Sequence, residues 1–326
     1  MKLKMKFITR AYNSFSINYK NKSTLIKTSH EEKLLNEIDY FRNIPEDLKV
    51  YFPRIFNNNT STTKPYSLEM EYYGYSNLGE LMLSKDYSEK TWDKVFDFLF
   101  NYINNYKSDK KITSTKIDLK RMFIEKTFKE YKNLINNTPF FKEFTEYEKI
   151  YFNDKELKNF NEIWPSLENY IKKIKFSPYF YFIHGDFCFS NILYSENEKN
   201  NDVILKFLDP RGKFGNKKFY GEFYYDLAKL NHSTNGGYEY LISNEFDLKL
   251  NKNKAELCYK GEKNKQLINK KLRKKFLENN YDVKKISLIE GLIYIGMCAR
   301  HYDSLKRQKA MYLIGLDILN KHYEEL

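Results

Sequence analysis

The chain has 326 residues, with 56 Lys plus Arg against 43 Asp plus Glu and a formal charge of +13. That length allows two domains or one two-lobed fold, and 41% hydrophobic with 17% aromatic content excludes a largely disordered chain. No uncharged apolar run approaches the ~18–20 residues of a membrane span, and the start, Met1-Lys-Leu-Lys-Met-Lys-Phe, shows no apolar core of a secretory signal.

In chain order, the first ~75 residues read as strand-rich. Phe7–Lys20 (FITRAYNSFSINYK) and Ser23–Thr28 (STLIKT) are rich in β-branched and aromatic residues, and Asn21-Lys22 between them reads as a turn. A helix is predicted from about Glu31 to Asn43, closed by Pro45. Tyr66–Tyr73 reads as another strand, and Gly74 and Gly79 bracket a hinge. The pattern then turns helical: Trp92, Val95, Phe96, Leu99, Tyr102, Ile103 and Tyr106 recur at helical spacing, and Ile117–Ile135 continues the trend. A strand block follows at Tyr179–Ile183, Ile192–Tyr194 and Val203–Leu208, with the polar Ser195–Asp202 as a hairpin connection. Helices resume near Asp226 and include Ile286–Ala299 and Gln308–Asn320. There is no internal repeat and no Pro/Gly/Ser linker. The layout is a small strand-rich lobe, residues 1–75, and a larger mainly helical lobe, residues 76–326, with a short sheet inset.

Two features narrow the chemistry. Cys188, Cys258 and Cys298 are far apart with no C-x-x-C, which fits a reducing cytoplasm and excludes a cysteine-rich zinc site. The basic Asn251–Lys275 reads as a solvated helix face or loop; a surface for nucleic acid or acidic lipid is the alternative.

The informative stretch is His184-Gly-Asp-Phe-Cys-Phe-Ser-Asn191, entered from one strand and left by another. It presents a carboxylate, Asp186, and an amide, Asn191; a third strand then delivers Asp209 in Leu-Asp-Pro-Arg-Gly. Two carboxylates and an amide at strand ends suit a hard, oxygen-loving Mg²⁺ ion that keeps water and phosphate as its other ligands. H-G-D-x-x-x-x-N arises by chance in such a chain on the order of once in a thousand.

This motif, with its hairpin and following Asp, resembles the aminoglycoside phosphotransferase and choline kinase family, a branch of the protein-kinase-like fold. The resemblance implies an α+β, two-lobed architecture: a nucleotide-binding lobe at 1–75 and a catalytic and substrate-binding lobe at 76–326. It makes Asp186 the general base toward a substrate hydroxyl, Asn191 and Asp209 the Mg²⁺ ligands on ATP or GTP, and His184 a structural brace. Thr24-Leu-Ile-Lys27 resembles the family's strand lysine. In the helix after it, Glu37 falls within the apolar stripe of Leu34, Ile38 and Phe41, where a carboxylate needs a partner. Lys27 is the expected one; an edge position reaching solvent is the alternative. The phosphate-covering loop is expected near Thr9–Ser16 (TRAYNSFS), which holds no glycine, so Ser14 and Ser16 are its candidate contacts. Asp226, opening a helix, caps it or ties down the catalytic loop. Arg211 reaches phosphate or a surface carboxylate, and Arg300, His301 and Asp303 lie where such enzymes line the acceptor pocket. Cys188 reads as a packed residue, not a nucleophile.

The expected activity is a Mg²⁺-dependent, cytoplasmic small-molecule kinase. Asp209-Pro-Arg-Gly-Lys-Phe-Gly and the following Tyr-Gly-Glu-Phe-Tyr-Tyr-Asp resemble phosphotransferases of bacterial surface-carbohydrate assembly, which favours a sugar, polyol or amino-alcohol acceptor. A pseudokinase that binds nucleotide or a partner and a basic nucleic-acid-binding protein are the alternatives; the latter leaves the H-G-D loop without a purpose. A protein kinase is a third, and no A-P-E signature follows Asp209 to support it. No G-x-x-x-x-G-K-[ST] occurs, so a P-loop enzyme is excluded on motif grounds.

Overall fold

Residues 13–18, 23–60, 64–84, 88–109, 111–197 and 202–326 are described by the structure, a computed structural model. The first sheet is built from β1 (Asn13–Asn18), β2 (Thr24–Ser29), β3 (Ile55–Asn59) and β4 (Tyr66–Glu71), antiparallel in the order β1-β2-β4-β3, and β1 and β4 alternate apolar with polar side chains. In β4, Tyr66, Leu68 and Met70 are buried and the residues between them are not, as the two-residue period of a strand requires. Helix α1 (Lys33–Asn43) packs on β4 and buries Leu34, Ile38, Tyr40 and Phe41, and it ends where Ile44 turns extended before Pro45.

Beyond this sheet come β5 (Ser76–Asn77), α2 (Leu78–Leu83) and α3 (Glu89–Asp109). Gly79, one end of the expected hinge segment, is buried in α2, where a Cβ would lie 2.7 Å from Glu239 Cγ, so this glycine serves close approach between elements. Next, β6 (Lys111–Thr113) and α4 (Lys116–Lys120) lead through a π turn, Arg121–Glu125, into α5 (Lys126–Asn137). Then follow α6 (Pro139–Phe144), β7 (Lys149–Phe152), β8 (Lys155–Lys158) and α7 (Phe160–Lys173).

The strand block comprises β9 (Tyr179–Phe182), β10 (Ile192–Asn197) and β11 (Asp202–Phe207). After it lie β12 (Lys213–Phe214), β13 (Lys217–Lys218), β14 (Tyr220–Gly221), α8 (Tyr224–Thr234) and α9 (Tyr238–Ile242). A hairpin of β15 (Phe246–Asn251) and β16 (Lys254–Tyr259) precedes α10 (Glu262–Glu278), α11 (Val283–Met297) and α12 (Leu305–Glu324). Three further sheets, β11-β10-β5, β14-β9-β6 and β15-β16-β7-β8, and a β12-β13 ribbon complete the pairing.

The helical core centres on α11, buried almost throughout from Ile286 to Met297 and packed against α12, α8 and α5. Each fully buried Leu or Ile there contributes about 1.5–3 kcal/mol. The sheet β15-β16-β7-β8 is an addition to the layout read from sequence. It also divides the basic stretch 251–275 into a strand that buries Ala255 and Leu257 and a helix that buries Ile268, Leu272 and Phe276. Outward lysines of that helix meet acidic residues of α3: Lys271 lies 2.8 Å from Asp93, and Lys275 lies 2.8 Å from Asp97. Among the described residues, no helix is long and apolar enough to cross a membrane.

Candidate active site

Between β9 and β10 the segment His184–Asn191 is held in place from two sides. Asp226, in the first turn of α8, accepts hydrogen bonds from the backbone N–H groups of His184 (2.8 Å) and Gly185 (2.7 Å). Burial raises its carboxyl to about 7, against the pull of those two donors. The His184 ring stacks on Phe52, and its Nδ1 accepts from the Asp186 N–H at 3.2 Å. Burial lowers the imidazole to about 4, so it stands neutral at pH 7, as an accepting Nδ1 requires. Gly185 has φ +77, and a Cβ there would meet Arg211 Cβ at 2.9 Å; only glycine fits both demands.

The turn so fixed presents Asp186 and Asn191, and the segment after β11 brings Asp209 beside them. Asn191 donates from Nδ2 to the Asp186 carbonyl at 2.8 Å. The Asp186 carboxylate pairs with Lys229 of α8, Nζ to Oδ1 2.9 Å. Burial works against the Lys229 charge, but Asp186 outweighs it and holds the ammonium above the ordinary lysine range. Asp209, just past β11, has φ +55, a left-handed backbone uncommon for a non-glycine residue.

Lys27, on β2, reaches across to the turn after β11. Its Nζ donates to Glu37 Oε2 at 2.6 Å and to Asp209 Oδ1. Burial alone would lower Lys27; Asp209 and Glu37 outweigh it, and the ammonium is held above its usual range. Burial raises the Glu37 carboxyl to about 7, with Lys27 pulling the other way. Asp209 is held below the carboxylate range because Lys27 outweighs its burial. Two segments far apart in sequence are thus joined by one buried cation.

Two cavities meet at Asp186. One, of about 470 Å³, has apolar walls that include Leu25, Met70, Leu193 and Leu208, and it also reaches Asn191 and Asp209. The other, of about 410 Å³, is lined by Arg121, Lys126, Arg211 and Lys229 along with Phe123 and Ile293. Lys33, Asp186 and Arg300 belong to the walls of both.

The remaining expected residues divide. Ser14 and Ser16 lie on β1, in register with Thr28 and Ile26, instead of in a turn; Asn13 and Phe15, on the alternate face, line the cleft. Ser14 Oγ bonds Thr28 Oγ1 at 2.6 Å. The rest of the expected loop, residues 9–12, and the β1–β2 connection at 19–22 lie outside the described residues. Arg211 donates from its backbone to the His184 carbonyl (2.8 Å) and from Nη1 to the Tyr225 hydroxyl (3.0 Å). His301 is buried at the cleft wall with its ring edge toward Tyr238, and exposed Asp303 pairs with Arg307 at 2.8 Å. Lys229, Lys126 and Arg121 are absent from the sequence reading. Lys229 carried a usable signal, standing three residues after Asp226 on one helix face; the other two are brought in by tertiary packing alone.

No family model matches the chain, and no curated protein matches it. Solved structures do. A thermostable mutant of the aminoglycoside phosphotransferase APH(4)-Ia superposes with TM-score 0.61 at 8% identity, covering 96% of this chain and 92% of that one. The gentamicin complex of APH(2")-IIa gives 0.53 at 15%, covering 94% and 87%. Choline kinase from Cryptosporidium parvum gives 0.50 at 11%, covering 98% and 92%. The chain has the fold of the aminoglycoside phosphotransferases and choline kinases. At such identities the likeness is one of fold, and the chemistry of this protein-kinase-like chain rests on its own residues.

Proposed function

We propose that the protein transfers the γ-phosphoryl group of ATP or GTP to a hydroxyl of a small molecule, with Asp186 as the base. One observation carries this reading: Asp186 stands where two cavities meet, and the apolar-walled one also holds Asn191 and Asp209, to which Lys27 and Glu37 are joined. The nucleobase would seat between Leu25, Met70, Leu193 and Leu208, with the phosphates toward Lys27. The first sheet with α1 would then act as the nucleotide-binding lobe and the remainder as the catalytic and substrate-binding lobe, as the division at 75 and 76 implies.

Asn191 and Asp209 would hold Mg²⁺; both offer hard oxygen donors, and the described residues contain no cluster of three or more His, Cys, Asp or Glu side chains able to enclose a metal. That donor set fits a cation completed by phosphate and water. When bound, the metal supplies charge neutralisation on the phosphates. The chain's own groups position the rest: Lys27 is kept charged, and Asp226 and His184 fix the loop that aims Asp186.

The test is thermal unfolding with ATP and GTP, with and without Mg²⁺. At ~100 times its Kd a ligand adds about 2.7 kcal/mol. The expected result is a Mg²⁺-dependent shift that Asp209→Ala loses. No shift with either nucleotide in the wild-type protein overturns the reading.

A further inference from the structure

The cavity on the far side of Asp186 is unlike the nucleotide-side cleft in charge. Among its described lining residues Asp186 is the one carboxylate, facing seven lysine and arginine side chains. Asp186 engages Lys229 at 2.9 Å, and Arg300 has Glu130 no closer than 3.8 Å. Lys126 and Arg211 have no carboxylate within ion-pair distance among the described residues; Arg211 is held by the Tyr225 hydroxyl, and the Lys126 ammonium lies 5.7 Å from the Tyr225 ring centre. Both line this cavity and not the cleft.

The backbone brings these charges together. The π turn Arg121–Glu125 interrupts what is otherwise one run of helix, and such turns recur where a helix serves a functional site. It contributes Arg121, Met122 and Phe123 to the cavity wall, and Lys126 follows at the start of α5. Burial, with Arg211, Arg300 and Lys229 close by, pushes the Lys126 ammonium well below the ordinary lysine range. Like charges gathered around a cavity raise its affinity for anions. Opposite them, Leu292, Ile293 and Met297 give an apolar wall suited to the C–H face of a carbon skeleton.

We infer, building on the phosphoryl-transfer reading above, that the acceptor is itself an anion. It is a small hydroxylated carboxylate or phosphate monoester whose charged group is held by Lys126, Arg211 and Arg300 while a hydroxyl faces Asp186. In the step, the acceptor oxygen bonds to the γ-phosphorus and its proton passes to the Asp186 carboxylate. The bond from γ-phosphorus to the β–γ bridging oxygen breaks, and the nucleoside diphosphate leaves with that electron pair. The amino-alcohol acceptor expected from sequence drops out, because its ammonium would enter a cavity already crowded with cations.

The test uses four probes on one carbon frame: glucose, glucosamine, glucuronate and glucose 6-phosphate. Each is added to the full chain with Mg²⁺ and a non-hydrolysable ATP analogue, and thermal shift is followed by assay of nucleoside diphosphate release with ATP. The expected result is a response to glucuronate or glucose 6-phosphate and none to glucosamine; which anion responds separates carboxylate from phosphate. Lys126→Gln and Arg211→Gln, made separately, should each raise the anion's Kd roughly tenfold or more while the nucleotide shift persists, which also reports that the variants fold. Glucose or glucosamine performing as well as the anions overturns the inference. So does silence with both anions, or an anion response that survives both variants. Failure of the underlying kinase reading looks different, since the wild-type protein then shows no nucleotide shift at all.

Discussion

Asp186 and His184 sit two residues apart in the loop between β9 and β10 and do opposite things. The first offers a partly exposed carboxylate; the second is a buried ring kept neutral by its surroundings. Asp186→Asn preserves the shape and removes the proton acceptor. It should lower kcat by roughly 10²–10⁴-fold while the nucleotide-induced thermal shift stays; an active variant would end the assignment. His184 makes a statement about pH. Its pKa is near 4 when folded and 6.5 when exposed, so the unfolded chain binds the extra proton first. The stability it contributes is complete above pH 6.5 and is lost as pH falls toward 4, by up to about 3 kcal/mol. Asn can offer an acceptor where Nδ1 stood but cannot titrate. The stability gap between wild type and His184→Asn should therefore be widest near neutrality and close on acidification. Parallel pH curves for the two proteins would show that this imidazole is not the titrating group.

Among the elements, α2 shows how a small helix reaches the active loop. Gly79 abuts Glu239, which is buried and accepts from the Ser233 hydroxyl (2.9 Å) and the Ser190 N–H (3.3 Å). A methyl at 79 has no room unless Glu239 moves, and Glu239 holds the loop that carries Asp186 and Asn191. Overpacking of this kind costs about 1–3 kcal/mol, offset by roughly 1 kcal/mol of better helix propensity. Gly79→Ala should thus lower stability by up to about 2 kcal/mol in chemical denaturation and reduce turnover as well. Unchanged values for both would remove the link. The same helix shows where sequence reading stops. Gly79 read as one end of a hinge and not as a packing contact, because a glycine kept for a close approach and one kept for bending are the same letter. By contrast, α1 and α3 declared themselves through helical spacing of their apolar residues. The loop from His184 to Asn191 was legible because its polar groups lie within one short motif. The β7–β8 hairpin did carry a local sign, Asn153-Asp154 with φ of +46 and +63, the left-handed pair a tight hairpin needs. Its strands, KIYF and KELK, are too short to announce themselves by alternation.

At the scale of the molecule, Lys27 is the buried link between the first sheet and the turn after β11. Its partner Glu37 could be named beforehand because a carboxylate inside an apolar stripe demands a cation. Its second partner, Asp209, could be expected only through the fold. In the cationic cavity, Arg211 and Arg300 could be named through the family resemblance, whereas nothing local distinguishes Lys126 from surface charge in a chain rich in lysine.

The parallel pairing of β7 with β16 joins segments about a hundred residues apart, Tyr151 against Lys254. On a ribosome adding ~5–20 residues per second, the early hairpin waits roughly 5–20 s for the strand that completes its sheet. Through that interval β7 is a bare edge with Ile150 and Phe152 not yet covered, and open edges of this kind invite pairing with other chains. The lysines at 149, 155 and 158, charged from the moment they emerge, are then the hairpin's protection during synthesis, before the finished protein has any use for them.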